Sequence, residues 1–301
     1  MTTAPVAQRI AGAPISWGVC EVPGWGHQLT PDLVLAQMRE VGLAATEFGP
    51  DGFLPDAPEA KAETLAAAGL RAVGQFVPVV LHDTAVDPLP AVEEAMTGLV
   101  AAQAGVVVIA AATGADGYDE RPDLDDGQWA TLLANLDRIS DAAAARGLLA
   151  ALHPHVGTMV ESGTETERVL AGSRISLCLD TGHLLIGGGD PVSVAAQHPG
   201  RIGHVHLKDV RLDLADRVRA GELSYTDAVG AGMYVPLGEG DVDVAAIIGS
   251  LEAAGYDGWY VLEQDTVLSG DPDATGVDPA ADVRASVAHV VGVADRLGDR
   301  P

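Results

Sequence analysis

A chain of 301 residues with 48% hydrophobic and 20% charged residues is long enough for a large core and too apolar to stay disordered. Its formal net charge of −26 disfavours nucleic acid or an anionic membrane surface as partner, and makes a highly phosphorylated substrate a poor fit. Two cysteines far apart in sequence, Cys20 and Cys178, imply no disulfide framework and read as small buried hydrophobes. The opening MTTAPVAQRIAGAP lacks the basic and apolar regions of a secretory signal. The longest apolar tract, Leu99 to Ala112, contains Gln103 and Gly105 and is too short to span a membrane. A cytoplasmic enzyme is expected.

Short apolar runs alternate with longer amphipathic ones along the chain. The runs predict strands at Arg9–Ser16, Ala45–Gly49, Ala72–Val80, Val106–Ala111, Leu148–His153, Ile175–Asp180, Ile202–His206 and Trp259–Glu263. Between them the pattern predicts helices near 31–41, 57–69, 89–104, 126–146, 163–171, 190–198, 242–254 and 279–297. Thr30-Pro31-Asp32 puts a cap residue before a proline at the first helical position. Gly42, Gly69 and Gly255 follow helices where left-handed end caps are wanted. Eight alternations predict an α/β fold closed into a single-domain (β/α)8 TIM barrel over 1–301, with an open doubly wound sheet as the alternative. The longest irregular connection, about 209–241 after strand seven, is expected to hold one or two short helices and to form a lid or pocket wall on the catalytic face. Ile186-Gly187-Gly188-Gly189-Asp190 lacks the lysine and spacing of a phosphate loop, and reads as a turn with Asp190 capping the next helix.

Barrel enzymes carry their chemistry at the carboxyl ends of the strands. Four runs, LLAALHPH, ISLCLDTGH, IGHVHLKD and WYVLEQD, end there with His153, Asp180, His206 and Glu263. This mixed nitrogen and oxygen set is expected to hold a divalent ion, one of Mn, Co, Zn, Fe or Mg. His204 and His206 are expected to face opposite sides of their strand, so that only His206, nearer the end, reaches the mouth. His204 then reads as a satisfied core histidine. His153 and His155 pose the same choice, and His153, which ends its run, reads as the ligand. His82 after strand three and His27 in a loop are placed within reach of substrate, whereas His198 and His289 sit on predicted helices as ordinary surface or interhelix residues.

The pieces SWGV, EFGPDGFLP, HPHVGT, DTGHL, HVHLKDV, PLGEGDVD and GWYVLEQD run in order from about Ala13 to Asp265. Together they resemble the inosose dehydratase family, a branch of the xylose-isomerase-like barrel superfamily. DTGH and HLKD specify only a metal-dependent barrel; HPHVGT with PLGEGDVD and LEQD narrows the resemblance to the dehydratases. The resemblance implies a lyase of inositol catabolism that breaks a carbon–oxygen bond in 2-keto-myo-inositol, with Mn or Co as the metal. Isomerases and epimerases of the superfamily carry a glutamate at the end of strand five. This chain has His153 there, which weighs against a two-carboxylate isomerase mechanism.

Water elimination from a polyol ketone needs a proton removed beside the carbonyl and a hydroxyl expelled from the next carbon, through an enediolate that a divalent ion stabilises. The candidates for this work are Glu47, which ends strand two, and His155, His183 and Lys208 around the metal. Lys208 or His183 is favoured for moving protons and Glu47 for gripping or deprotonating a substrate hydroxyl. An ion pair of Lys208 with Asp209 or Glu239 is the bland alternative. Trp17, Trp25 and Phe53 offer flat faces to a cyclitol ring, with core packing as the alternative reading, and His82 and Glu239 complete the candidate substrate contacts. The expected partner is a small polyol ketone or keto sugar, with homo-oligomerisation left open. Elimination on a 3-keto sugar or glycoside, a keto-sugar isomerase or epimerase, and a catalytically silent binding barrel are the competing readings.

Overall fold

The structure, a computed structural model, describes residues 4–115 and 117–298. Its strands are β1 (Ile10–Gly12), β2 (Ala45–Thr46), β3 (Arg71–Ala72), β4 (Gly74–Val80), β5 (Val106–Ala112), β6 (Leu149–Leu152), β7 (Ser176–Asp180), β8 (Ile202–Leu207), β9 (Asp209–Val210), β10 (Tyr234–Val235) and β11 (Tyr260–Leu262). Nine of them form one parallel sheet in the order β3-β2-β1-β11-β8-β7-β6-β5-β4. The two ends of that order, β3 and β4, are separated in the chain only by Val73. They are two segments of one broken strand, so the sheet closes into an eight-stranded barrel. The expected strand Ala72–Val80 is therefore interrupted near its start, where Val73 turns its carbonyl to the N–H groups of Gly105 and Val106. The expected Arg9–Ser16 strand stops at Gly12 because Pro14 opens a 3-10 turn, Pro14–Trp17, and proline has no N–H for a ladder.

Helices fall close to the predicted ones, at Pro31–Glu40, Pro58–Ala67, Leu89–Ala101, Asp126–Ala145, Gly163–Gly172, Pro191–Gln197, Val244–Ala253 and Pro279–Gly298. Two carry reciprocal capping boxes, Asp125 with Gln128 and Ser162 with Glu165, which satisfy donors a helix start leaves bare. Asp190 caps its helix through Ser193 N–H, as the glycine-rich turn implied. Thr30 takes the cap conformation but its hydroxyl makes no cap bond. Gly42 and Gly69 sit at φ 90° and 71°, the left-handed region that ends a helix most cheaply with glycine. No helix among the described residues is long and apolar enough to cross a membrane.

Side chains alternate across each strand. On β5, Val107, Ile109 and Ala111 join the large core between barrel and helices, while Val106 and Val108 pack with Phe76, Ala151 and Cys178 in a separate cluster. The segment after β8 folds as expected into two short helices, Leu212–Arg219 and Tyr225–Gly230, framed by the antiparallel ribbon β9–β10. Asp209 organises its return. One carboxylate oxygen accepts from the N–H groups of Val210 and Val242, the other from those of Gly238 and Gly240, at 2.8–3.0 Å. A Cβ on Gly240 would stand 2.3 Å from Asp209 Oδ1, so only glycine fits that approach. This use of Asp209 leaves Lys208 to find its partners elsewhere.

Candidate active site

Strand register delivers the four ligand candidates to one level. Asp180 on β7 is paired directly with His206 on β8, and His206 with Val261 on β11. Beyond the ladders, Glu263 N–H bonds Leu207 O at 3.1 Å and His153 N–H bonds Ile109 O at 2.8 Å. One atom from each of His153, Asp180, His206 and Glu263 lies within 4.8 Å of the other three. His153 Nε2 is 3.2 Å from Asp180 Oδ2; His206 Nδ1 is 3.8 Å from Asp180 Oδ2 and 2.6 Å from Glu263 Oε2.

That last contact is informative. His206 Nδ1 and Glu263 Oε2 are both buried and neither has an aligned hydrogen-bond partner despite their closeness. An imidazole nitrogen and a carboxylate oxygen this close, both buried, call for a proton on the ring or a cation between them. The donor set, two imidazoles and two carboxylates, fits a divalent ion of the Mn, Co, Zn, Fe or Mg type. Asp180 divides its work: Oδ1 caps the helix Thr181–Ile186 by accepting from His183 N–H, and Oδ2 faces the cluster.

The expectation that His204 and His206 face opposite ways is overturned. Residues two apart on a strand share a face, and both rings reach Glu47 Oε1, at 2.7 and 2.9 Å. His206 stands in the ligand cluster and His204 one step deeper. Glu47 is thus occupied by imidazoles through one oxygen, although it also borders the cleft. Burial works against its charge, but His206 and His204 prevail and hold it at about 2.

The same period continues to Lys208. It meets Asp265 and lies 3.5 Å from Glu263 Oε2 and 3.9 Å from Asp180 Oδ2. Burial opposes its charge, yet Asp265, Glu263 and Asp180 outweigh it and hold the ammonium well above its ordinary value. Asp265 also accepts a hydrogen bond from Tyr225 in the post-β8 segment. Asp265, Tyr225 and Tyr118 all line the cleft and were not anticipated. The signal for Asp265 was its place two residues after Glu263.

The cleft has a cavity volume of about 70 Å³. Lys208, His153, His155, Glu263 and Glu47 border it, with Trp25, Phe76, Tyr118 and Tyr225 as aromatic walls. Cys20 also borders it and is only half-buried, not a core residue. His155 and His183 stack with ring centroids 3.7 Å apart, and burial holds both well below the usual histidine range. His155 borders the cleft, whereas His183 is fully buried and outside the lining. Trp17 is buried in the core with its indole N–H on Gln37, and Phe53 joins the same core. His82 borders a separate surface hollow with Asp125 and Thr131. Glu239 and His27 are exposed, and none of these five lines the cleft.

A model of the xylose isomerase-like TIM barrel family matches residues 35–289. The rhizopine catabolism protein MocC of Rhizobium meliloti is 35% identical over 266 residues, covering 85% of this chain and 81% of its own. An inosose dehydratase of Geobacillus kaustophilus (strain HTA426) is 33% identical over 270 residues, covering 85% and 87%. A crystal structure of the IOLI protein with a bound zinc atom shares the fold at TM-score 0.67 and 15% identity, covering 97% of this chain and all of that one. The chain belongs to the xylose isomerase-like TIM barrel family and, within it, to the inosose dehydratases, which are carbon–oxygen lyases.

Proposed function

We propose that the protein is a divalent-metal-dependent dehydratase that eliminates water from 2-keto-myo-inositol. The observation that carries this reading is the convergence of His153, Asp180, His206 and Glu263 at a cleft whose rim holds Lys208 and His155. Those four residues would hold the ion, Mn or Co in the first instance, with Mg, Zn or Fe also suited to the donors. When bound, the ion would supply Lewis acidity to a ketone oxygen of the substrate.

The remaining steps belong to the chain. His155 is neutral, and its Nδ1 is 2.7 Å from Val156 O, so Nδ1–H donates there and Nε2 keeps its lone pair. It is the base for the proton beside the carbonyl. Lys208, held as an ammonium by Asp265, is the acid that gives its proton to the departing hydroxyl, so that water leaves. The proton taken by His155 replaces the one given by Lys208 through solvent, which restores both groups. Each such group typically contributes about 10²–10⁴-fold. His183, stacked behind His155, orients that ring, and Tyr225 and Asp265 keep Lys208 in place. Trp25, Phe76 and Tyr118 would face the apolar side of a cyclitol ring. A cytoplasmic setting and a small-molecule polyol ketone as partner go with this reading.

The histidine at position 153 favours elimination over isomerisation, because a carboxylate that could shuttle a proton between carbons is replaced by a neutral ligand. The test is to purify the protein, measure its metal content, and mix it with 2-keto-myo-inositol while following dione absorbance. Turnover that disappears with a chelator and returns with Mn or Co supports the reading. Metal-loaded protein that is inert on inosose but converts a 3-keto-glucoside overturns the substrate assignment.

A further inference from the structure

We propose that Glu47, backed by His204, is a positioning residue that fixes the ring of His206 and thereby sets how tightly the centre holds its ion. The proposal rests on the metal-centre reading above. Glu47 follows β2 and is almost wholly buried inside the barrel. A single oxygen, Oε1, faces His204 Nε2 at 2.7 Å and His206 Nε2 at 2.9 Å. A carboxylate oxygen can only accept, so each ring carries its proton on Nε2. With Nε2 so occupied, Nδ1 is the nitrogen His206 can offer an ion, and it is turned toward Glu263 Oε2 and Asp180 Oδ2. A ligating imidazole whose other N–H is held by a carboxylate has its tautomer and orientation fixed and its basicity raised.

His204 supplies the second half of the device. It is fully buried, and its Nδ1 has no partner among the described residues. Among the described residues, the one polar contact of hydrogen-bond length that its side chain makes is to Glu47. That bond pins the carboxylate from below, so Oε1 is aimed at His206. Gly74 makes the space. A Cβ there would stand 3.2 Å from Glu47 Oε1, 3.6 Å from His204 Nε2 and 3.2 Å from the Val106 carbonyl. Those separations are tight enough to press on the carboxylate. Gly74→Ala therefore disturbs the alignment without removing any donor or acceptor.

The experiment is calorimetric titration of chelator-stripped protein with Mn²⁺, alongside circular dichroism and thermal unfolding without metal. The visible spectrum of the Co²⁺-loaded forms is recorded as a second reading of ligand geometry. Wild type is expected to take up one ion per chain. Glu47→Gln keeps the shape but loses the charge, and is expected to bind Mn²⁺ about 10- to 100-fold more weakly with its folded spectrum intact and its Co²⁺ bands shifted. His204→Leu, which removes the lower donor, and Gly74→Ala should each weaken binding in the same direction. His204→Gln, which can still donate, should restore most of it. Mn²⁺ binding by a folded Glu47→Gln within twofold of wild type overturns the proposal. So does uptake of two ions by wild type with one lost in Glu47→Gln, which would make Glu47, His204 and His206 a second cation site. A wild type that takes up no ion defeats the metal-centre reading itself, and is told apart by that result alone.

Discussion

Replacing Asp265 by asparagine isolates the ion pair on which the lysine's role depends. Asp265 and Lys208 are both almost wholly buried, and the carboxylate is the nearest partner of the ammonium. Breaking a buried pair by removing one member costs about 3–5 kcal/mol, because it strands a charge. Glu263 and Asp180 remain at 3.5 and 3.9 Å, and the amide can still accept from Tyr225, so the low end, about 3 kcal/mol, is expected. An unfolding entropy near 2.1 cal/mol/K per residue gives about 0.6 kcal/mol/K for a chain of this length, so Tm should fall by about 5 °C. Lys208→Met should cost a similar amount by leaving Asp265 without its cation. The double variant loses the pair together and should fall by no more than about 6 °C, not by the roughly 10 °C of two independent changes. Differential scanning calorimetry on chelator-treated protein measures all four corners of the cycle. A Tm for Asp265→Asn within 1 °C of wild type, or full additivity in the double variant, refutes the reasoning.

Asp209→Asn should loosen the segment that brings Tyr225 to the cleft: the amide nitrogen cannot accept, so two of four backbone donors lose a charged partner worth about 1.5–3 kcal/mol each. Hydrogen exchange at Gly238, Gly240 and Val242 should rise, and unchanged protection there would contradict the clamp. The Cys20 thiol is pushed up by burial and by Glu21, and the thiolate is the reactive form. Alkylation by iodoacetamide in the folded protein should therefore climb about tenfold per pH unit through pH 10 without levelling. A plateau near pH 8.5 would show an ordinary exposed thiol.

Much of the architecture was legible because helices announce themselves locally. Asp190, Asp125 and Ser162 cap where polar residues precede amphipathic runs, and eight alternations imply closure. The break at Val73 had one local signal, Gly74 directly after it, since a glycine inside an apolar run marks a bulge or a close backbone approach; its position follows from where the barrel closes between β2 and β5. The convergence of His153, Asp180, His206 and Glu263 was readable from strand ends, but their neighbours were not. His204, His206 and Lys208, and again Glu263 and Asp265, each follow a two-residue period that puts them on one inward side. Applied consistently, that period would have placed His204 and Asp265 inside the site. Tyr118 and Tyr225 arrive from connections whose path no periodicity encodes, and Trp17 takes the core position because a tryptophan after a strand packs into the core as readily as onto a ligand.

The proposed grip of four donors on one cation is tested directly by equilibrium dialysis with Mn²⁺ or Co²⁺ followed by elemental analysis. Wild type should retain one ion per chain, and Asp180→Ala and His206→Ala should each retain almost none at the same free concentration while remaining folded. Equal metal content in all three proteins, or none in wild type, would contradict it.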